Sequence, residues 1–155
     1  MHIARLRDSF LTRARIDGLD DLDQPVERLH ANGGEPCRDA LRAARPGELL
    51  ILASYSPFSV KGPYREFGPI FILAEGEPDA ADRNVLPTPY FKTMFALRAY
   101  SKDERIIDAC LTPLAEAGHN IEMLLALPDT AFLHARFGAY GCFGCAIGPA
   151  ARDVC

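Results

Sequence analysis

The sequence predicts an α+β domain with a mainly antiparallel sheet built from hairpins and one or two short helices. Three observations predict it. The most apolar runs, Leu49–Ala53 and Ile70–Ala74, are of strand length. Turn signals of Pro, Gly and charged residues separate the runs, as hairpin connections require. No strand alternates with a long helical pattern, so the βαβ units of a parallel sheet are not expected.

Residues 1–35 are the least regular part. Leu19, Leu22, Val26 and Leu29 recur at helical spacing and suggest a short amphipathic helix, which Pro25 weakens. Asn32-Gly33-Gly34 is a loop signal. Residues 36–44 read as a strand. Arg45-Pro46-Gly47-Glu48 turns the chain, since Pro presets its dihedral and Gly accepts positive φ, and Leu49–Tyr55 returns as the partner strand. Leu49–Ala53 and Pro69–Ala74 are apolar on both faces and are expected at the centre of a sheet. Between them residues 56–68 form a loop rich in Pro, Gly and aromatics, of a length often tied to function. Residues 75–89 read as surface loop. Phe95–Tyr100, a turn at Ser101–Glu104 and Arg105–Leu111 make a hairpin. Asn120 is placed to cap a helix over Ile121–Leu127, which Pro128 stops. Ala131–Phe137 and Tyr140–Ile147 make the last hairpin.

The length of 155 residues fits one domain, an irregular segment 1–35 followed by a core at 36–150. The chain is 48% hydrophobic and 25% charged, an ordinary globular profile with no need of a disulfide or metal to fold. The net charge of −4 and the lack of Trp argue against a nucleic-acid partner. No apolar run approaches the ~20 residues of a membrane span. The charged N-terminus is unlike a signal peptide, so a cytoplasmic location is expected. Five irregularly spaced cysteines, Cys37, Cys110, Cys142, Cys145 and Cys155, do not form a secreted disulfide framework. Phosphate loops, His-Glu-x-x-His and Gly-x-Ser-x-Gly are missing from the sequence, and no cofactor is expected.

Pro36-Cys37-Arg38, Ala44-Arg45-Pro46-Gly47-Glu48, Ser54-Tyr55, Pro63-Tyr64 and Gly68-Pro69-Ile70-Phe71 occur in that order. Leu97-Arg98-Ala99-Tyr100, His134 and Gly141-Cys142-Phe143 follow. Together they resemble a bacterial domain-of-unknown-function family, number 1203, over about residues 35–150. The resemblance implies no activity, cofactor or partner. One departure is that Arg136-Phe137-Gly138 stands where the family pattern leads one to expect Asn before the Gly-Cys step.

Cys142-Phe143-Gly144-Cys145 is a Cys-x-x-Cys with no second pair to complete a zinc site, and a strand points i and i+3 to opposite faces. Both sulfurs are expected to be small buried residues, and no metal site is expected. Cys37, Cys142 and His134 lie in the resembling segments, and a Cys–His pair could supply a nucleophile and its base. Alternation puts Phe132, His134 and Arg136 on one face of their strand, and Arg98 and Tyr100 on one face of theirs. If these strands are neighbours, Arg98, Tyr100, His134 and Arg136 make a cationic, hydrogen-bonding surface suited to a carboxylate or phosphate. The ordinary fate of such a face is solvent exposure. Arg38 and Arg42 share a face of the first hairpin. Tyr64 lies in the loop that could fold over the His134 face, with Glu66 the one acid there.

Three functions are therefore open. The favoured one is binding of a small anionic ligand through Arg98, His134, Arg38, Tyr64, Tyr100 and Arg136. The second is a small enzyme acting on an anionic metabolite, with His134, Cys142 and Cys37 as catalytic candidates. The third is a structural domain whose exposed strand edges leave a homodimer open.

Overall fold

The computed structural model describes residues 1–76 and 82–149. From the N-terminus the chain forms β1 (His2–Ile3), α1 (Asp8–Thr12), β2 (Glu27–His30), β3 (Pro36–Cys37), β4 (Arg42–Ala43), β5 (Leu49–Tyr55) and β6 (Gly68–Leu73). Then come α2 (Thr88–Phe91), β7 (Met94–Tyr100), β8 (Ile106–Pro113), α3 (Ala117–Leu125), β9 (Phe132–Phe137) and β10 (Phe143–Gly148). The fold is α+β and dominated by antiparallel sheet, as the sequence predicts. It divides into two compact units. One holds Arg5–Ser59 and Arg65–Ala81, the other Met1–Ala4, Val60–Tyr64 and Asp82–Cys155.

In the first of these units the sheet order is β2-β5-β6-β3-β4. β5 lies inside it, antiparallel to β2 (Leu29 opposite Leu50) and to β6 (Ile51 opposite Ile72). This is the central placement that its apolar faces demand. Its expected partner, residues 36–44, is wrong. That stretch folds on itself as β3 and β4, and β3 pairs in parallel with β6 through Cys37 and Phe71. The cause is a side chain. Glu48 grips Arg42 with two bonds of 2.8 and 2.9 Å and accepts the Arg45 amide at 2.7 Å, so it holds the turn in place of a strand ladder. These donors keep the Glu48 carboxyl at about 2.

The helix expected near residues 19–29 does not form. Asp20 binds the amides of Leu22 and Gln24 at 2.8 and 3.0 Å, Asp23 has φ of 60°, and Leu19 bridges Pro25. Such local bonds compete with the helical ladder. Helix forms upstream instead, where α1 runs into a wider π turn at Arg13–Asp17 that ends at Gly18 in the left-handed region. Arg15 in that turn bonds Asp39 at 2.6 Å and the Leu73 carbonyl at 3.1 Å. Ala31, Cys37, Ala44, Leu50 and Leu73 form a buried core cluster of this unit.

The other unit has a five-stranded antiparallel sheet, β1-β10-β9-β7-β8. Both predicted hairpins are present. On one face Phe95, Leu97, Ala99, Leu133, Ala135 and Ile147 are wholly buried. Phe91 stacks on Phe95 with centroids 4.8 Å apart, and the Tyr90 hydroxyl donates to the Gly144 carbonyl at 3.2 Å. Gly144 is glycine for want of room: a Cβ there would lie 2.5 Å from the Phe91 ring. Ile121 and Leu124 of α3 are buried. That helix begins at Ala117, before the expected cap: Asn120 sits inside it and donates to Thr112 Oγ1 at 3.4 Å. β8 is the outer strand, and its Asp108 carboxylate takes the Ala109 amide at 2.8 Å, a donor that an added strand would need. The expected surface loop 75–89 lies partly outside the described residues, and its last two residues belong to α2.

Candidate functional site

The pairing of β7 with β9 sets the site. Arg98 lies opposite His134, Ala96 opposite Arg136 and Tyr100 opposite Phe132. Strand alternation therefore turns Arg98, Tyr100, Phe132, His134 and Arg136 to the face opposite the Leu97 core. The condition set by the sequence is met, because the two strands are neighbours. The expected solvent exposure is not. His134 is 0% exposed, Tyr100 1% and Arg136 5%, while Arg98 is half-buried.

Aromatic rings enclose the imidazole. Tyr100, Phe132 and Phe143 have ring centroids 4.7, 5.2 and 5.2 Å from that of His134, and Tyr100 stacks on Phe132 at 5.4 Å. Burial pushes His134 down to about 3; the Arg98 charge adds to this and the Glu104 charge opposes it. At neutral pH the ring is uncharged, able to donate or accept a hydrogen bond but starting no reaction as an acid. Burial likewise raises the Tyr100 hydroxyl, which stays protonated, while Arg98 acts on it as hydrogen-bond donor and positive charge.

Arg98 itself makes no ion pair among the described residues. Other arginines do: Arg7 with Asp21, Arg13 with Asp23, Arg15 with Asp39 and Arg42 with Glu48. Farther along β9, the Arg136 Nη1 donates to the Gly141 carbonyl at 2.9 Å. Burial lowers the Arg136 guanidinium, and the neighbouring Cys142 opposes that shift.

The sequence misses Glu104. It ends the tight turn after β7 with φ of 57° and is buried between exposed Asp103 and Arg105. Its carboxylate accepts the Val60 amide at 2.8 Å. Segment Val60–Tyr64 is thereby attached to the unit that carries the site, and the Tyr64 phenol is close enough to act electrostatically on Tyr100. Nothing in the sequence marks Glu104 among 21 acids; its one signal is a place four residues after Tyr100.

Other candidates lie elsewhere. Arg38 and Cys37 belong to the other unit. Arg38 is buried and its Nη1 donates to the Pro36 carbonyl at 2.6 Å. Burial pushes the Cys37 thiol up to about 12. Cys145, opposite Ala135 on the core face, is pushed up to about 12 as well. A thiol so protonated is no nucleophile at neutral pH. Cys142 lies in the turn before β10, half-buried and next to Arg136. Glu66 also falls in the other unit, and Cys155 lies outside the described residues. Among the described residues no group of three His, Cys, Asp or Glu could hold a metal.

A family model described as a protein of unknown function, DUF1203, matches residues 34–148. No curated protein and no solved structure matches the chain.

Proposed function

We propose, for a chain that belongs to the DUF1203 family and inherits no activity from it, that the Arg98 face binds a small carboxylate ligand. The observation that carries this is Arg98: half-buried, beside a fully buried neutral imidazole, and without an ion pair among the described residues. A half-buried guanidinium attracts a carboxylate or phosphate more strongly than one fully in water does. Its planar fork fits two carboxylate oxygens. The Tyr100 hydroxyl stands beside it, and Phe132, the half-buried ring of the cluster around His134, offers an apolar surface to the ligand's carbon skeleton. The single charge of Arg98 matches a monoanion better than a dianion, since Glu104 adds a negative charge nearby.

Binding is favoured over catalysis for a specific reason. A general acid or base at neutral pH needs a pKa near 7, and His134 stands at about 3. The test is thermal unfolding in sodium acetate and sodium propionate against sodium chloride at equal ionic strength. A ligand that binds only the folded state raises Tm with its concentration. The carboxylates should raise Tm above chloride, and Arg98→Ala should abolish the difference. Equal curves in all salts, or an undiminished rise in the variant, refute the reading.

A further inference from the structure

We propose that segment Val60–Tyr64 is a strap that closes the Arg98 site, with Glu104 as its latch and the Tyr64 hydroxyl as a ligand contact. The inference rests on the binding reading above.

The chain path is the first support. Residues up to Ser59 and from Arg65 belong to one unit, yet the five residues between them belong to the other. Something must hold so short an excursion. The Glu104 carboxylate does so by taking the Val60 amide at 2.8 Å. Glu104 is shaped for this task. Its backbone sits in the left-handed region that side chains rarely adopt, fixed by a bond from its amide to the Ser101 carbonyl at 3.0 Å. Its side chain is turned inward although its neighbours are exposed.

The second support is where the strap ends. Val60 is 44% exposed, Lys61, Gly62 and Pro63 are exposed, and Tyr64 is 41% exposed, so the outer side of the strap meets water. Gly62 gives it freedom to lift, while Pro63 stiffens the approach to Tyr64. The Tyr64 phenol reaches the field of Tyr100, and the Glu104 charge reaches His134. Glu104 stands four residues beyond Tyr100, so its bond to Val60 ties the strap to the end of β7 that carries the site. A segment released at Val60 would uncover that site, and one held there would keep the ligand from water.

Trypsin reads the strap directly, because Lys61–Gly62 is a cleavable bond on it. Cleavage there is followed by mass spectrometry in the wild type, Val60→Pro, Glu104→Gln and Glu104→Ala, each checked for folding by circular dichroism. Val60→Pro removes the donor and keeps Glu104, so it decides the matter if Glu104→Ala fails to fold. Val60→Pro and Glu104→Ala should be cut roughly tenfold faster, the factor expected for losing one hydrogen bond to a charged acceptor. Glu104→Gln keeps an oxygen acceptor and should remain near wild type. Acetate should slow cleavage of the wild type and not of Val60→Pro. Equal rates in all four proteins overturn the latch. Acetate that stabilises through Arg98 but leaves Lys61 unprotected overturns the strap alone. Loss of any Arg98-dependent acetate effect overturns the binding reading and the strap with it.

Discussion

Replacing His134 by phenylalanine should remove a proton-linked loss of stability that the wild type suffers in acid. The imidazole is wholly buried among three aromatic rings, and burial takes it from an ordinary 6.5 to about 3. The folded state thus binds the proton less readily than the unfolded state. As pH falls below 6.5 the unfolded chain is protonated first, and each unit then costs the folded state about 1.4 kcal/mol. The stability is full above pH 6.5 and drains as pH falls toward 3. Between pH 7 and pH 4 the loss from this one residue is about 3 kcal/mol. Phenylalanine carries no such proton. Its larger ring brings an offset in stability, but that offset does not vary with pH. Other groups, such as Asp20 and Glu48 with lowered values, titrate in both proteins and cancel in the difference. Urea unfolding of both proteins at half-unit steps from pH 7 to 4 gives the two curves. The wild-type curve should fall more steeply, with the gap changing by about 3 kcal/mol. Parallel curves would refute the claim that His134 is neutral and buried.

Two further perturbations probe the packing and charge behind the fold. Gly144→Ala should cost about 1–3 kcal/mol in urea unfolding, because its methyl would meet the Phe91 ring and the Ala135 carbonyl. Arg15→Ala should cost about 1–3 kcal/mol by removing the guanidinium that bonds the half-buried Asp39 carboxylate at 2.6 Å, and adding Asp39→Asn should restore part of that.

Much of the sheet was legible because alternation survives burial. In Phe95–Tyr100 and Ala131–Phe137 one face is uniformly apolar, so the assignment of Arg98, Tyr100, His134 and Arg136 to a shared side needed only the period of two. Whether the two strands adjoin depends on sheet order, which the period does not carry. The burial of that face was illegible for a related reason: strand pattern tells which side a residue takes, not what lies over it. In residues 36–44 the pattern misled. Backbone pairing there yields to the Glu48 grip on Arg42, a contact between side chains six residues apart that mimics no periodicity. Likewise the helical spacing of Leu19, Leu22, Val26 and Leu29 lost to Asp20, whose carboxylate satisfies the amides a helix would use. Glu104 was missed because its importance comes from the Val60 amide, 44 residues away.

The central claim is that Arg98 is the anchor of a carboxylate site. Nuclear magnetic resonance of nitrogen-15-labelled protein during a titration with sodium acetate, against sodium chloride, tests it most directly. The Arg98 side-chain Nε–Hε signal should move and saturate, together with the amides of Arg98, Tyr100 and His134. A site elsewhere, with those four signals unmoved while others shift, or a response to acetate no different from that to chloride, would contradict the account.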